Sequence, residues 1–165
     1  MFDLYHLFLF LHIGGAIVAF GPSFTFPIIG AMGGREPQHA GFAARLTYRL
    51  AEGVTLPGAI FVGLMGIALI FTSPAKWSVT TLWLGLSIVL FVIALAISVF
   101  VSRPTAHAIV EATKNPPPPP APGAPPPSGP PPHIAALVKR AQQAGMALTV
   151  LLVAITVLMV FKPGV

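Results

Sequence analysis

Apolar residues along this chain neither alternate nor keep to a helical stripe. They run in four blocks, with the charged residues pushed into the segments between. Residues 4–29, 54–71, 80–101 and 141–161 contain no Asp, Glu, Lys or Arg. Each block approaches or exceeds the roughly 20 apolar residues that carry a helix across about 30 Å of hydrocarbon. The pattern predicts an all-α fold in one domain, an integral membrane four-helix bundle. Helix stops agree with these limits: "TSP" follows Phe71, Arg103-Pro104 follows Val101, and "KPG" follows Phe161. In the first block "GPSFTFP" places Pro22 and Pro27 where missing backbone donors should kink or thin out the last turns.

Composition supports the bilayer as solvent, with 55% of the 165 residues hydrophobic and 8% charged. There is no cysteine, which excludes disulfides, thiolate metal sites, iron–sulfur clusters and thiol catalysis. The N-terminal block carries Asp3 where a signal peptide has basic residues, and lacks a convincing small-x-small cleavage site, so it reads as a retained helix.

The net charge of +5 changes the picture through its placement. Arg35, Arg45 and Arg49 lie between the first two spans, and Arg103, Lys114, Lys139 and Arg140 between the last two, against Lys76 and Lys162 elsewhere. Seven against two predicts both longer loops in the cytoplasm, both termini on the extracytoplasmic side, and Trp77 and Trp83 in the outer interfacial belt. It is a membrane topology signal, and no nucleic-acid partner is expected.

The second long loop, 115–133, is proline-rich: 12 of the 17 residues from Pro116 to Pro132 are proline. It favours extended polyproline II, either as a stiff tether or as a PxxP ligand for a partner domain. The stretch 33–52 differs. Phe42, Leu46 and Leu50 at four-residue spacing, with Arg45 and Arg49 on the adjacent face, predict an amphipathic lead-in lying at the membrane surface. Its arginines would meet lipid phosphate or clamp a substrate carboxylate. Arg103, His107 and Glu111 would share a face if the helix continues past Pro104.

Candidate chemistry at membrane depth reduces to one imidazole. Ser23, Thr25, Ser87, Ser98, Thr149 and Thr156 can bond back to their own helices. His12 lies about 12 Å into its span at 1.5 Å per residue, and an imidazole facing lipid there would be unsatisfied. Its face holds Tyr5, Phe8 and Leu9 on one side and the small residues Gly15, Ala16 and Ala19 on the other. That stripe suits either a close helix crossing or a slot for a flat ligand. His12 is thus either a neutral histidine bonded to a neighbouring helix or an axial ligand to a haem or metal ion. His6 lies about 120° around the helix and cannot share an ion with it. No phosphate loop, buried carboxylate pair, Ser/His/Asp set or zinc motif is present. Whether the chain is an enzyme stays open.

"LHI" at residues 11–13, an apolar run, Phe20-Gly21, an aromatic and Pro27 together resemble the first helix of the CopD/HemJ-like group of small bacterial membrane proteins, and within it an uncharacterised four-helix family. The resemblance covers some 17 residues and implies a bacterial cytoplasmic (inner) membrane location. In the HemJ-type protoporphyrinogen oxidases the matching histidine is tied to haem b, which would carry over to His12. Those enzymes have tryptophan where this chain has Ala19, and a lysine in a later helix where residues 82–101 have none. The copper-related members suggest copper handling, but the Met/His clustering that Cu(I) favours is missing.

Two functional expectations follow. In one, His12 ligates haem b while Gly15, Ala16 and Ala19 clear room for the macrocycle, for electron transfer or porphyrin-linked redox chemistry. In the other, the protein is a non-catalytic accessory subunit, a homo-oligomer or part of a larger respiratory or photosynthetic complex, joined through contacts such as Ala59-x-x-x-Gly63.

Overall fold

In the computed structural model, residues 3–75, 77–114 and 131–164 are described. Among them the regular elements are all helical. Helix α1 spans Leu4–Phe20 and α2 spans Phe26–Arg35; α3 is Ala40–Leu50, α4 Leu56–Thr72, α5 Leu82–Ile97, α6 Arg103–Ala112 and α7 Pro132–Phe161. Joined end to end they make four rods, Leu4–Arg35, Pro37–Thr72, Leu82–Ala112 and Pro132–Phe161, each long and apolar enough to cross a membrane.

The rods outrun the predicted spans because a charged residue ends a hydrocarbon crossing without ending a helix. In the first rod, Pro22 tightens Gly21–Phe24 into a 3₁₀ turn. Thr25 closes it, its hydroxyl donating to the Pro22 carbonyl at 2.7 Å. The helix then restarts with Pro27 in its first turn, where no backbone donor is needed. The 33–52 stretch is not a separate surface helix. After a short turn at Pro37–His39, α3 runs on into α4 and packs against α2 and α6. The proline-rich prediction for 115–133 falls outside the described residues over 115–130, and Pro132 and His133 open α7, nine residues before the predicted start of the last span.

Two rods change pitch at matching places. Ala51–Thr55 and Ser98–Ser102 are π-helical, and Pro57 and Pro104 each follow two residues later. A proline inside an α-helix removes one N–H and drives its ring at the carbonyl four residues back. Those carbonyls, of Gly53 and Phe100, lie inside the π segments, where the widened turn absorbs the conflict without breaking the rod.

Packing is tightest where side chains are small. The principal contacts join α1 to α4, α5 to α7, α2 to α3 and α6 to both α3 and α7. Ala19, Ala59, Val62, Trp83, Leu84, Val110 and Ala144 are buried, whereas Phe10, Phe71, Phe100, Met146 and Phe161 stand on the outer surface. So much apolar surface facing outward, on rods that span, is what lipid solvates. All seven predicted arginine-end cations lie toward one end of the bundle. Trp77, Trp83 and Lys162 meet at the other, the lysine Nζ 5.2 Å and 5.6 Å from the two indole centroids. Lys76 lies outside the described residues.

Candidate functional site

His12 points into the α1–α4 contact. Its Nδ1 lies 2.9 Å from the Val62 carbonyl oxygen. A carbonyl can only accept, so Nδ1 carries the proton that it donates. Gly66, one turn beyond Val62, makes the approach possible: a Cβ there would stand 3.2 Å from His12 Cε1.

The small-residue stripe below His12 meets α4 on one side. A Cβ on Gly15 would meet the Phe61 ring at 3.0 Å and the Val62 side chain at 3.2 Å, while Ala19 is fully buried against Gly58. Ala16 is half-buried. Gly15 and Ala19 thus let α4 come close on one side. On its other side the stripe borders an apolar groove of about 600 Å³, lined by Gly15 and Ala19 with Phe10, Val18, Pro57 and Phe61 among others; Ala16 and His12 do not line it. Ala59-x-x-x-Gly63 is likewise used within the chain. Ala59 is buried, and a Cβ on Gly63 would meet the Phe91 ring of α5 at 3.0 Å.

The remaining intramembrane hydroxyls behave largely as back-bonded side chains. Ser87 donates to Trp83 O at 2.7 Å, Thr149 to Gly145 O at 2.9 Å and Thr156 to Leu152 O at 2.8 Å. His6 lies at the chain-terminal end near Asp3, 3.6 Å away. Among the described residues, no three His, Asp or Glu side chains converge to hold a bare metal ion.

A second polar zone joins the two π segments. Glu52 accepts from Arg103, Oε1 to Nε at 3.0 Å, and the hydroxyls of Thr55 and Ser102 are buried there with no hydrogen-bond partner. Glu52 is 20 residues from Thr72 and Arg103 is 21 from Leu82, so the pair stands roughly 30 Å from the tryptophan end, at the other limit of the hydrocarbon. The helix does continue past Pro104, so Arg103, His107 and Glu111 share a face. That face meets α3: Tyr48 and His107 pack edge to face, centroids 5.8 Å apart, and His107 Nε2 lies 3.7 Å from Glu111. The Glu52–Arg103 and Tyr48–His107 contacts were not foreseen. Their signal was the repeated spacing Thr55-x-Pro57 and Ser102-x-Pro104, which sets both rods to bend at one level.

These features define a four-span helical membrane protein with one imidazole held between α1 and α4 and an ion-paired, arginine-rich end. The chain belongs to the DUF2269 family of predicted integral membrane proteins, whose family model matches residues 6–163. Comparison with curated proteins and with solved structures returned no match.

Proposed function

We propose that this protein binds haem b in the bacterial inner membrane, where His12 would hold the iron, and serves electron transfer. One observation carries the reading: the Nδ1 bond to the Val62 carbonyl fixes the tautomer and ring direction, the support that metal-ligating histidines ordinarily receive from a second group. The donor chemistry fits haem iron, which needs one or two protein ligands, better than a bare ion, which needs a cluster. Gly15 and Ala19 contribute by bringing α4 close enough for Val62 to reach the imidazole. When bound, haem would supply a one-electron couple; His12 would hold the iron, and the apolar helices would keep water away. In this reading the arginine end faces the cytoplasm and both termini lie outside. Porphyrinogen oxidation of the HemJ type is not part of the proposal, because the tryptophan and lysine of that pattern are absent.

The test is a reduced-minus-oxidised spectrum of protein purified in mild detergent from haem-supplemented cells. Soret and α bands are expected in the wild type and their loss in His12→Ala, with helical circular dichroism unchanged. A featureless spectrum from well-folded wild type, or full haem retention in the variant, overturns the proposal. The accessory-subunit reading drew on the small size, the Ala59-x-x-x-Gly63 motif and the lack of a complete catalytic set; of these, the motif is engaged within the chain, with Gly63 against Phe91.

A further inference from the structure

The cleft between α3 and α6 plays no part in the His12 reading, yet it gathers charged side chains at the arginine end. It is an open cleft of about 260 Å³, lined by Arg45, Tyr48 and Arg49 from α3, by His107 and Glu111 from α6 and by Lys114 just past its end. Arg45 and Arg49 are one turn apart, so both guanidinium groups reach the same space. Gly41 helps hold α3 against α6: a Cβ there would stand 3.1 Å from the Thr113 carbonyl oxygen and 3.3 Å from Arg45 Nη1.

The charge balance of the whole chain leaves this cleft short of an anion. There are four Asp and Glu residues. Asp3 is beside His6 at the far end. Glu36 bonds His39 at 2.8 Å and Glu52 bonds Arg103 at 3.0 Å. Glu111, the carboxylate inside the cleft, is taken by Lys114 at 2.7 Å and lies 3.7 Å from His107. No side-chain carboxylate remains for Arg45 or Arg49. Both lie beyond the Glu52–Arg103 level, one and two turns further out, at the depth of lipid headgroups.

We propose that this cleft binds one phosphate-bearing anion, its oxygens forked between Arg45 and Arg49, with the Tyr48 hydroxyl and the His107 ring as flanking polar groups. Guanidinium forks match phosphate geometry, and the bonds are charge-assisted. The phosphate can come from the headgroup of an anionic lipid or from a soluble phosphate ester, and the two sources separate by experiment.

Full-length protein in neutral detergent is offered phosphatidylglycerol or phosphatidylcholine, and retained lipid is counted by native mass spectrometry. In a second arm inorganic phosphate is titrated calorimetrically. A lipid site retains one phosphatidylglycerol on the order of tenfold better than phosphatidylcholine. A soluble-ester site shows one-to-one phosphate binding with no lipid preference. In either case Arg45→Gln/Arg49→Gln should lower binding by about tenfold. Arg35→Gln/Arg140→Gln, which removes the same charge from exposed positions outside the cleft, should not. Equal losses in both double variants mean diffuse surface charge and overturn the proposal, as does binding in neither arm. If the glutamine pair fails to fold, Arg45→Lys/Arg49→Lys decides: reduced binding supports the fork, and wild-type binding overturns it.

Discussion

Ala19 and Gly58 touch where α1 crosses α4 with nothing between them; a Cβ built on Gly58 would stand 2.6 Å from Ala19 Cβ and 3.1 Å from its Cα. The obstacle includes backbone, so it cannot swing aside. Gly58→Ala should therefore cost about 1–3 kcal/mol, as overpacking does. Gly14→Ala, on the same helix pair with open space around the added Cβ, should instead stabilise by about 0.5–1 kcal/mol through helix propensity. Thermal unfolding in mild detergent, followed by circular dichroism, compares the two. If both glycines respond alike, the close crossing is wrong.

The same crossing sets the imidazole. A Cβ on Gly66 would lie 3.2 Å from His12 Cε1 and 3.5 Å from Nδ1, so Gly66→Ala should shift the ring by a few tenths of an ångström and Gly66→Val should break the Val62 bond. If His12 holds haem, the alanine variant is expected to keep partial haem with a displaced α band, and the valine variant to lose it, while helical content persists. Normal haem content and spectrum in Gly66→Val would show that the Val62 carbonyl does not orient the ligand.

Much of the fold was legible in the sequence, because a bilayer imposes one requirement on every span: unbroken apolar length. The four blocks and the ends of α4 and α7 at Thr72 and Phe161 came from that requirement. What hydropathy could not show is where a helix continues through water. Arg35, Lys139 and Arg140 all sit on helix beyond their apolar blocks. His12 was legible as inward-facing, but the carbonyl it bonds lies 50 residues away on α4 and could not be named from the sequence. The Glu52–Arg103 pair was invisible for the same reason, since two charges at span ends look solvated until the topology brings them together.

At the opposite end Lys162 closes the bundle. It adopts a left-handed conformation, φ 45°, past the end of α7, and its ammonium lies near both Trp77 and Trp83, which themselves pack edge to face at 5.3 Å. Cation–π contacts of this kind contribute about 0.5–1 kcal/mol each at accessible sites. Lys162→Gln should lower stability by about 1 kcal/mol. Because these are the protein's two tryptophans, it should also change their fluorescence intensity and emission maximum directly. Unchanged emission would place the lysine away from the indoles. Lys162→Gly, which relieves the positive φ but also removes the cation, should show the same spectral change with a smaller loss of stability.

Glu52, in the first π segment, pairs with Arg103, which follows the second, and the hydroxyls beside them separate two kinds of polar contribution. Arg103 is about half exposed and Glu52 less so, with side-chain exposures of 53% and 23%. Screening limits such a pair, and a double-mutant cycle of Glu52→Gln and Arg103→Gln should give a coupling of about 0.5–1 kcal/mol that shrinks as salt is raised. Thr55 and Ser102 should behave oppositely. Their hydroxyl oxygens are buried without partners, so each is desolvated with no compensating bond. Thr55→Val and Ser102→Ala should be neutral or stabilising, by up to about 1 kcal/mol. A clear destabilisation by Thr55→Val would mean that its hydroxyl finds a partner in the membrane, such as a bound water, and that the Pro57 bend depends on it. Measured together on one thermal scale, the cycle and the two hydroxyl variants distinguish a region held by its ion pair from one held by buried polar bonding.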